Sequence, residues 1–202
     1  MKKRQIKTKK RVADFGEVYT DIEQVKAMLD LIPDDNMEIG TTYLEPAMGN
    51  GNFLEEILAR KLRKVISEAK STQDVRLNIL RSIASIYGVD IQEDNVIEAR
   101  DRMTAYLDSK LLELYGLPMD RQLSAAVRKI LAKNFICGDT LECTASTGDP
   151  LVFCEWDIKD NGRIVCKEFR YDDMLANNGS STKYIDIHRY SWLVPKEKSN
   201  IA

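Results

Sequence analysis

Glu45-Pro46-Ala47-Met48-Gly49-Asn50-Gly51-Asn52-Phe53-Leu54 lies between two segments of different periodicity. Before it, Thr41-Thr42-Tyr43-Leu44 is short, β-branched and aromatic, which predicts a strand. After it, from about Asn52 to Lys70, Phe53, Leu54, Ile57, Leu58, Leu62, Val65 and Ile66 recur at the spacing of one helix face. Strand, glycine-bearing loop and helix in that order open a βαβ unit. The glycines let backbone approach a ligand at the carboxyl end of a parallel sheet. The spacing is not GxGxxG, so nothing here requires a pyrophosphate. S-adenosylmethionine is a nucleoside cofactor without one, and Glu45 is placed to attract its ammonium or sulfonium-bearing portion. The same residues also fit a plain turn, with a strand-end carboxylate followed by helix-start glycines.

Downstream, a helix over about Val75 to Ala84 leads to a second strand at Ser85 to Val89. A long helix follows from Glu93, with Val96, Ile97, Met103, Leu107 and Leu111. After Gly116-Leu117-Pro118 comes an amphipathic helix with Leu123, Val127, Ile130 and Leu131, then a third strand at Asn134 to Cys137. Alternating strands and helices predict an α/β domain, a parallel sheet with helices on both faces. Asp90, after Gly88-Val89, ends the second strand, where an acid can accept hydrogen bonds from ribose hydroxyls. Asp139, after the third strand, is placed to receive an adenine amino group. Either aspartate alone reads equally as a helix cap or turn residue. Glu45, Asp90 and Asp139 together, at three strand ends beside one glycine loop, predict a single site.

Upstream, Thr20 can cap a helix bearing Ile22, Val25, Met28, Leu29 and Ile32, ended by Pro33 and Asp34-Asp35-Asn36. The first twelve residues form a basic arm with Lys2, Lys3, Arg4, Lys7, Lys9, Lys10 and Arg11, either a solvated terminus or a contact to DNA phosphates. Past Asp139 the pattern changes. Leu151 to Ile158 and Arg163 to Arg170 are strand-like around Lys159-Asp160-Asn161-Gly162, and Asn-Gly is a hairpin signal because both residues tolerate positive φ. The expected organisation is a basic arm at 1–12, a cofactor-binding domain at 13–142, a β-hairpin extension at 143–176 and a polar tail at 177–202.

The 202 residues suffice for one sizeable core, and 44% hydrophobic with 31% charged residues argues against wholesale disorder. A formal net charge of −2 leaves nucleic-acid affinity to local patches. No apolar run approaches the roughly 18 residues of a membrane span, and the charged start is not followed by an apolar stretch, so no membrane association or secretory signal is expected. The expected location is the cytoplasm. Cys137, Cys143, Cys154 and Cys166 form no CxxC pair and His188 is the sole histidine. Free thiols, no metal site and no Ser-His or Cys-His catalytic pair are therefore expected.

Phe15-Gly16-Glu17-Val18-Tyr19-Thr20 resembles the first motif of adenine-N6 DNA methyltransferases of the amino-terminal-motif class, found in type I and type IIG restriction-modification systems. Glu45 to Leu54 resembles their cofactor loop, usually written D/E-P-A-C-G-S-G-x-F-L, and Gly88 to Gln92 and Phe135 to Leu141 follow as the next two motifs in order. The resemblance spans about Arg11 to Asp139. It implies a Rossmann-like methyltransferase fold binding S-adenosylmethionine. Gly49, Gly51, Tyr19 and Thr20 would wrap its methionine end, Asp90 its ribose and Asp139 its adenine, with Glu45, Ala47, Asn52, Phe53, Ile91 and Thr140 completing the set. Asp21 stands where the family has proline and Met48 where it has cysteine.

The family's N/D-P-P-Y/F motif is absent, because the sequence has no Pro-Pro. In the family that motif binds the amino group of a flipped adenine and stacks on its ring. Asp149-Pro150-Leu151 is the nearest echo, without the aromatic, and Phe153 and Trp156 read as hairpin packing. The catalytic residues are thus unassigned and the fold incomplete. In the family a fourth strand pairs with the first, so the Thr41-Leu44 strand is expected to be an open edge, covered by the hairpin or by another chain. The reading is the cofactor-binding portion of a DNA adenine methyltransferase, with a companion polypeptide or a second copy. The alternatives are a degenerate module that binds DNA or a partner subunit, an unusual stand-alone methyltransferase, and an unrelated nucleotide-binding protein.

Overall fold

The computed structural model describes residues 6–33, 36–116, 118–176 and 183–190. Lys2, Lys3 and Arg4 of the basic arm, the helix-ending Asp34 and Asp35, Leu117, and 177–182 and 191–202 of the tail lie outside the described residues. In chain order the elements are α1 (Lys9–Phe15), α2 (Ile22–Leu29), β1 (Tyr43–Glu45), α3 (Asn52–Glu68), α4 (Thr72–Ala84), β2 (Ile86–Asp90), α5 (Glu93–Tyr115), α6 (Arg121–Asn134), β3 (Phe135–Asp139), β4 (Thr144–Ala145), β5 (Val152–Ile158), β6 (Ile164–Arg170), α7 (Tyr171–Ala176) and β7 (Tyr184–Tyr190). Strands β1, β2 and β3 are parallel neighbours in that order, and β4 pairs antiparallel with β3. A separate antiparallel sheet runs β5-β6-β7. The protein is thus mixed α/β, with a mostly parallel sheet and an antiparallel one. No described helix is long and apolar enough to cross a membrane.

Side chains alternate across a strand, and that alternation separates two cores. Ile86 and Phe135 join Leu54 and Leu58 of α3, Leu80 of α4, Met103 and Leu107 of α5 and Ile130 of α6. Val89, Tyr87, Leu44 and Ile136 face the other way, onto Leu151, Phe153, Phe169 and Tyr171. The four long helices therefore cover one face, and of the helices expected on the other the described residues supply only the short α7. The second face is taken by β5, β6 and the short α7, with Phe153 edge-on to Tyr87 and Tyr171. Gly88 points toward the helices, where a Cβ would strike Met48 and Leu54, so the loop after β1 can fold flat onto β2.

Two buried polar side chains join these layers. Asn134, at the end of α6, donates to the carbonyls of Ile83, Ala84 and Ile86 at 3.0–3.3 Å and accepts from Trp156 Nε1 at 2.7 Å, tying both sheets together. Lys61 of α3 is fully buried, and its three N–H donors are shared among the carbonyls of Glu38, Ile39 and Thr41 and Ser85 Oγ, all at 2.6–3.1 Å. It anchors the chain entering β1 against the start of β2. Burial pushes its pKa down to about 7, with Glu38 acting in the opposite sense.

Several local expectations move. Asp21, rather than Thr20, caps α2, accepting from Glu23 N at 3.0 Å. Met28, Ile66 and Ile97, expected in the core, are about half exposed. The hairpin forms as expected, but only Gly162 is left-handed, at φ 76°, as in loops that close on a glycine. Within the polar tail, β7 adds a third strand to that hairpin. The hairpin covers a sheet face and leaves the edge alone: β1 ends its sheet, with β2 as its one partner strand among the described residues. Nor is the described part of the basic arm a free charged terminus. Thr8 caps α1, and Lys7 and Arg11 turn inward to Asp94, Glu98 and Glu17 at 2.5–3.0 Å, leaving Lys9 and Lys10 exposed.

Candidate functional site

A cavity of about 370 Å³ opens where β1, β2 and β3 end. Four segments line it: Gly16–Tyr19 ahead of α2, Pro46, Ala47 and Gly49 after β1, Asp90–Gln92 with Asn95 after β2, and Gly138–Leu141 after β3. Parallel strands place their carboxyl ends side by side, so residues far apart in sequence meet here.

The glycine loop is held before any ligand arrives. Met48 N donates to Val89 O and Gly51 N to Met48 O, both at 2.9 Å. Arg102 Nη1 reaches Asn50 O and Asn52 Oδ1 at 2.8 and 2.9 Å, fixing the loop to α5. Gly49 has φ 52°, and a Cβ there would lie 3.2 Å from the Tyr19 ring. Glycine therefore keeps both the left-handed turn and the space beside Tyr19.

Asp90 Oδ2 accepts from Gly49 N at 2.8 Å, and Oδ1 accepts from Gln92 N at 2.9 Å and Asn95 Nδ2 at 3.1 Å. A carboxylate offers about four acceptor positions, so roughly one remains for a ligand. Asp139 Oδ1 accepts from Leu141 N at 2.8 Å and Glu142 N at 3.2 Å, which leaves Oδ2 for a ligand donor. Thr140 Oγ1 donates to Pro46 O at 2.8 Å, linking the loops after β1 and β3. A third acid comes from Glu17, which accepts from Tyr19, Asn95 and Arg11 at 2.6–3.1 Å. Burial alone would raise its carboxyl, but hydrogen bonds from Asn95, Arg11 and Tyr19 hold it below the ordinary value. Burial pushes Tyr19 up to about 12, with Lys7 opposing, so its hydroxyl stays protonated, its one proton shared between Glu17 Oε1 and Asn95 Oδ1. Three exposed aliphatic side chains, Val18, Ile91 and Leu141, stand around the cavity, and Leu141 is 93% exposed.

Of the residues expected here, Tyr19, Ala47, Gly49, Asp90, Ile91, Asp139 and Thr140 line the cavity. The other five do not. The Thr20 carbonyl accepts from Asn52 Nδ2 at 2.9 Å, so both residues join α2 to the start of α3. Gly51 begins α3 against Ala99, and Phe53 packs on the core. Glu45 is half-buried beside its own loop, with Ala47 N at 3.4 Å, and burial raises its pKa. The expected Glu45–Asp90–Asp139 trio is thus replaced by Glu17, Asp90 and Asp139. Glu17 lay within the first quoted motif, and Asn95 lies one helical turn past Asp90. Neither position had a local pattern marking it, because each is defined by its contact with the other.

Two other features stay apart from this cavity. Asp149 is exposed and accepts from Thr147 Oγ1 at 2.8 Å, and neither it nor Phe153 nor Trp156 lines the cavity. A larger cleft of about 570 Å³ lies among the helices, walled by Ile66, Val75, Ile79, Leu111 and Tyr115. Arg76 and Asp120 pair with each other at its rim, and its walls are mostly aliphatic. Comparison with known families, curated proteins and solved structures finds no match to this chain.

Proposed function

We propose that the cavity at the ends of β1–β3 binds S-adenosylmethionine, and that the chain is the cofactor-binding portion of a DNA adenine-N6 methyltransferase of restriction-modification type, on a Rossmann-like frame. The observation that carries this reading is that Gly49, Asp90 and Asp139, at the carboxyl ends of three neighbouring parallel strands, line one cavity. The residues suit the cofactor. Gly49 leaves the backbone bare beside Tyr19, the remaining acceptor position of Asp90 suits a ribose hydroxyl, and Asp139 Oδ2 suits an adenine amino group. Ile91 and Leu141 offer aliphatic surfaces for the flat adenine ring, each contributing up to roughly 1.5–3 kcal/mol if fully covered. The carboxylates of Glu17, Asp90 and Asp139 give the cavity a negative lining, favourable to a sulfonium. When bound, the cofactor supplies an electrophilic methyl group.

Base binding and transfer are assigned to a companion polypeptide, because no Asn-Pro-Pro-Tyr equivalent lies at the cavity. The second reading is a degenerate module that binds DNA or a partner subunit without cofactor. It is favoured by the three protein donors already on Asp90. Calorimetry with S-adenosylmethionine distinguishes the two. Binding that falls about tenfold in Asp139→Asn, the loss of one hydrogen bond of about 1.4 kcal/mol, supports the first reading. Absence of heat at millimolar cofactor, with the protein still retaining DNA on a filter, supports the second. Methyl transfer to DNA by the chain alone would overturn the assignment of catalysis to a companion.

A further inference from the structure

Far from the nucleoside cavity, one face of the β5-β6-β7 sheet turns toward α6 and collects chemistry that the sequence scatters. Register sets Cys154 opposite Glu168 and Glu168 opposite Asp186, while Cys166 stands between Trp156 and His188. Directly opposed residues have Cβ atoms roughly 4.5–5.5 Å apart, so these side chains share a patch. Ligand atoms of Cys154, Cys166 and Glu168 lie within 4.8 Å of one another, as do those of Glu168, Asp186 and His188, with Glu168 common to both sets. His188 Nε2 is 3.1 Å from Glu168 Oε1 and 3.4 Å from Asp186 Oδ2. Both cysteines are buried, and Trp156, Ile158 and Ile164 close the apolar side. Lys133 of α6 reaches Glu168 Oε1 at 2.5 Å.

We propose that Cys154, Cys166, Glu168 and His188 form a four-ligand site for a zinc-class divalent cation, bridging all three strands of the antiparallel sheet. Cys154, Cys166 and Glu168 already offer ligand atoms within 4.8 Å of one another, and Zn–S bonds of about 2.3 Å would draw the two thiolates to roughly 3.8 Å. His188 stands opposite Cys166 on the neighbouring strand but lies with Glu168 and Asp186, so its ring must swing toward the sulfurs to complete the tetrahedron. Two thiolates and an imidazole select zinc-like ions over magnesium or calcium, which prefer oxygen. Charge also closes. Two thiolates and one carboxylate are offset by a divalent ion and the Lys133 ammonium. Lys133 would serve as an outer partner on Glu168, and His188 Nε2, which faces Glu168 Oε1 and Asp186 Oδ2, would exchange those contacts for the ion. The absence of CxxC is no obstacle, because cross-strand register supplies the proximity that a CxxC turn supplies elsewhere.

The test uses the full chain, untagged, reduced and stripped with a chelator, then titrated with Zn²⁺ against a chromophoric competitor and, separately, with Co²⁺. The expected result is one ion per chain and a Co²⁺ spectrum with thiolate charge-transfer absorption and tetrahedral visible bands. Cys166→Ser and His188→Gln should each weaken Zn²⁺ by more than about 100-fold, beyond what loss of an outer partner causes. His188 is partly exposed, so its variant should keep the wild-type circular dichroism, while Cys143→Ser should bind normally. Failure of the reduced chain to take up an ion, uptake unchanged in both site variants, or a Cys154–Cys166 disulfide in protein isolated from a reducing cytoplasm would each overturn the site.

Discussion

Gly49→Ala separates the backbone role of the loop from its ligand role. At φ 52° an alanine incurs the left-handed penalty of about 1–2 kcal/mol, and its Cβ sits 3.2 and 3.3 Å from two Tyr19 ring carbons. Tyr19 cannot yield freely, because its hydroxyl is held between Glu17 Oε1 and Asn95 Oδ1. Gly116→Ala is the matched control. Its φ is 70°, nothing lies within 4 Å of the added Cβ, and it ends α5 away from the cavity. At about 2–4 °C per kcal/mol for a chain of this size, the control should lower Tm by about 2–8 °C. Gly49→Ala should fall further by whatever moving Tyr19 costs. Scanning fluorimetry gives both shifts, and calorimetry with S-adenosylmethionine should show at least a tenfold loss for Gly49→Ala and none for Gly116→Ala. Equal Tm shifts together with unchanged cofactor affinity for Gly49→Ala would refute the placement of Tyr19 and the loop around a ligand.

Lys61→Met should cost about 1–3 kcal/mol in urea unfolding, because Thr41 O loses its amine donor and Ile39 O is left to share the one Ser85 Oγ proton with Ser82 O, whereas Glu38 O keeps Thr41 N. Its folded pKa of about 7 lies below the ordinary 10.5, so the unfolded chain binds more protons between those values. Wild-type stability should therefore rise with pH across that window, and the variant should lose the rise. Trp156→Phe should cost about 1–3 kcal/mol by leaving the buried Asn134 Oδ1 without its indole donor, a change read in the same unfolding assay. Asp94→Asn should expose α1 to trypsin at Lys9 and Lys10. In the wild type, the hydrogen bond from Arg11 holds the Asp94 carboxyl down to about 2, so its contribution is present above the ordinary 3.8 and disappears as pH falls through about 2.

The βαβ order was legible because strand and helix periodicities alternate cleanly from Tyr43 to Asp139, and the hairpin because Asn161-Gly162 punctuates two β-branched runs. Asp90 and Asp139 could be assigned to one cavity from sequence because a parallel sheet fixes where strand ends go. Glu45 could not be separated from them, since it too closes its strand; what sets it apart is register, level with Gly88 and short of Asp90, which no local pattern encodes. The fate of the basic arm was hidden for another reason: Lys7 and Arg11 find acids more than 80 positions away, and no local pattern encodes a partner at that distance. The side on which the helices pack escaped for the same reason, because it depends on Phe153 and Tyr171 claiming the opposite face. Cross-strand pairing likewise concealed the meeting of Glu168 with Cys154 and Cys166 on one side and with His188 on the other.

One wall of the cavity at the ends of β1–β3, Glu17 to Tyr19, belongs to a segment clipped to α5 by ion pairs that are partly open to water. Such pairs are individually weak and are screened by salt. Ligand occupancy and closure of this latch are then linked reciprocally: whatever tightens one tightens the other. Ionic strength, or an extension fused ahead of Lys7, becomes a remote control on affinity without touching a single atom that a ligand would meet.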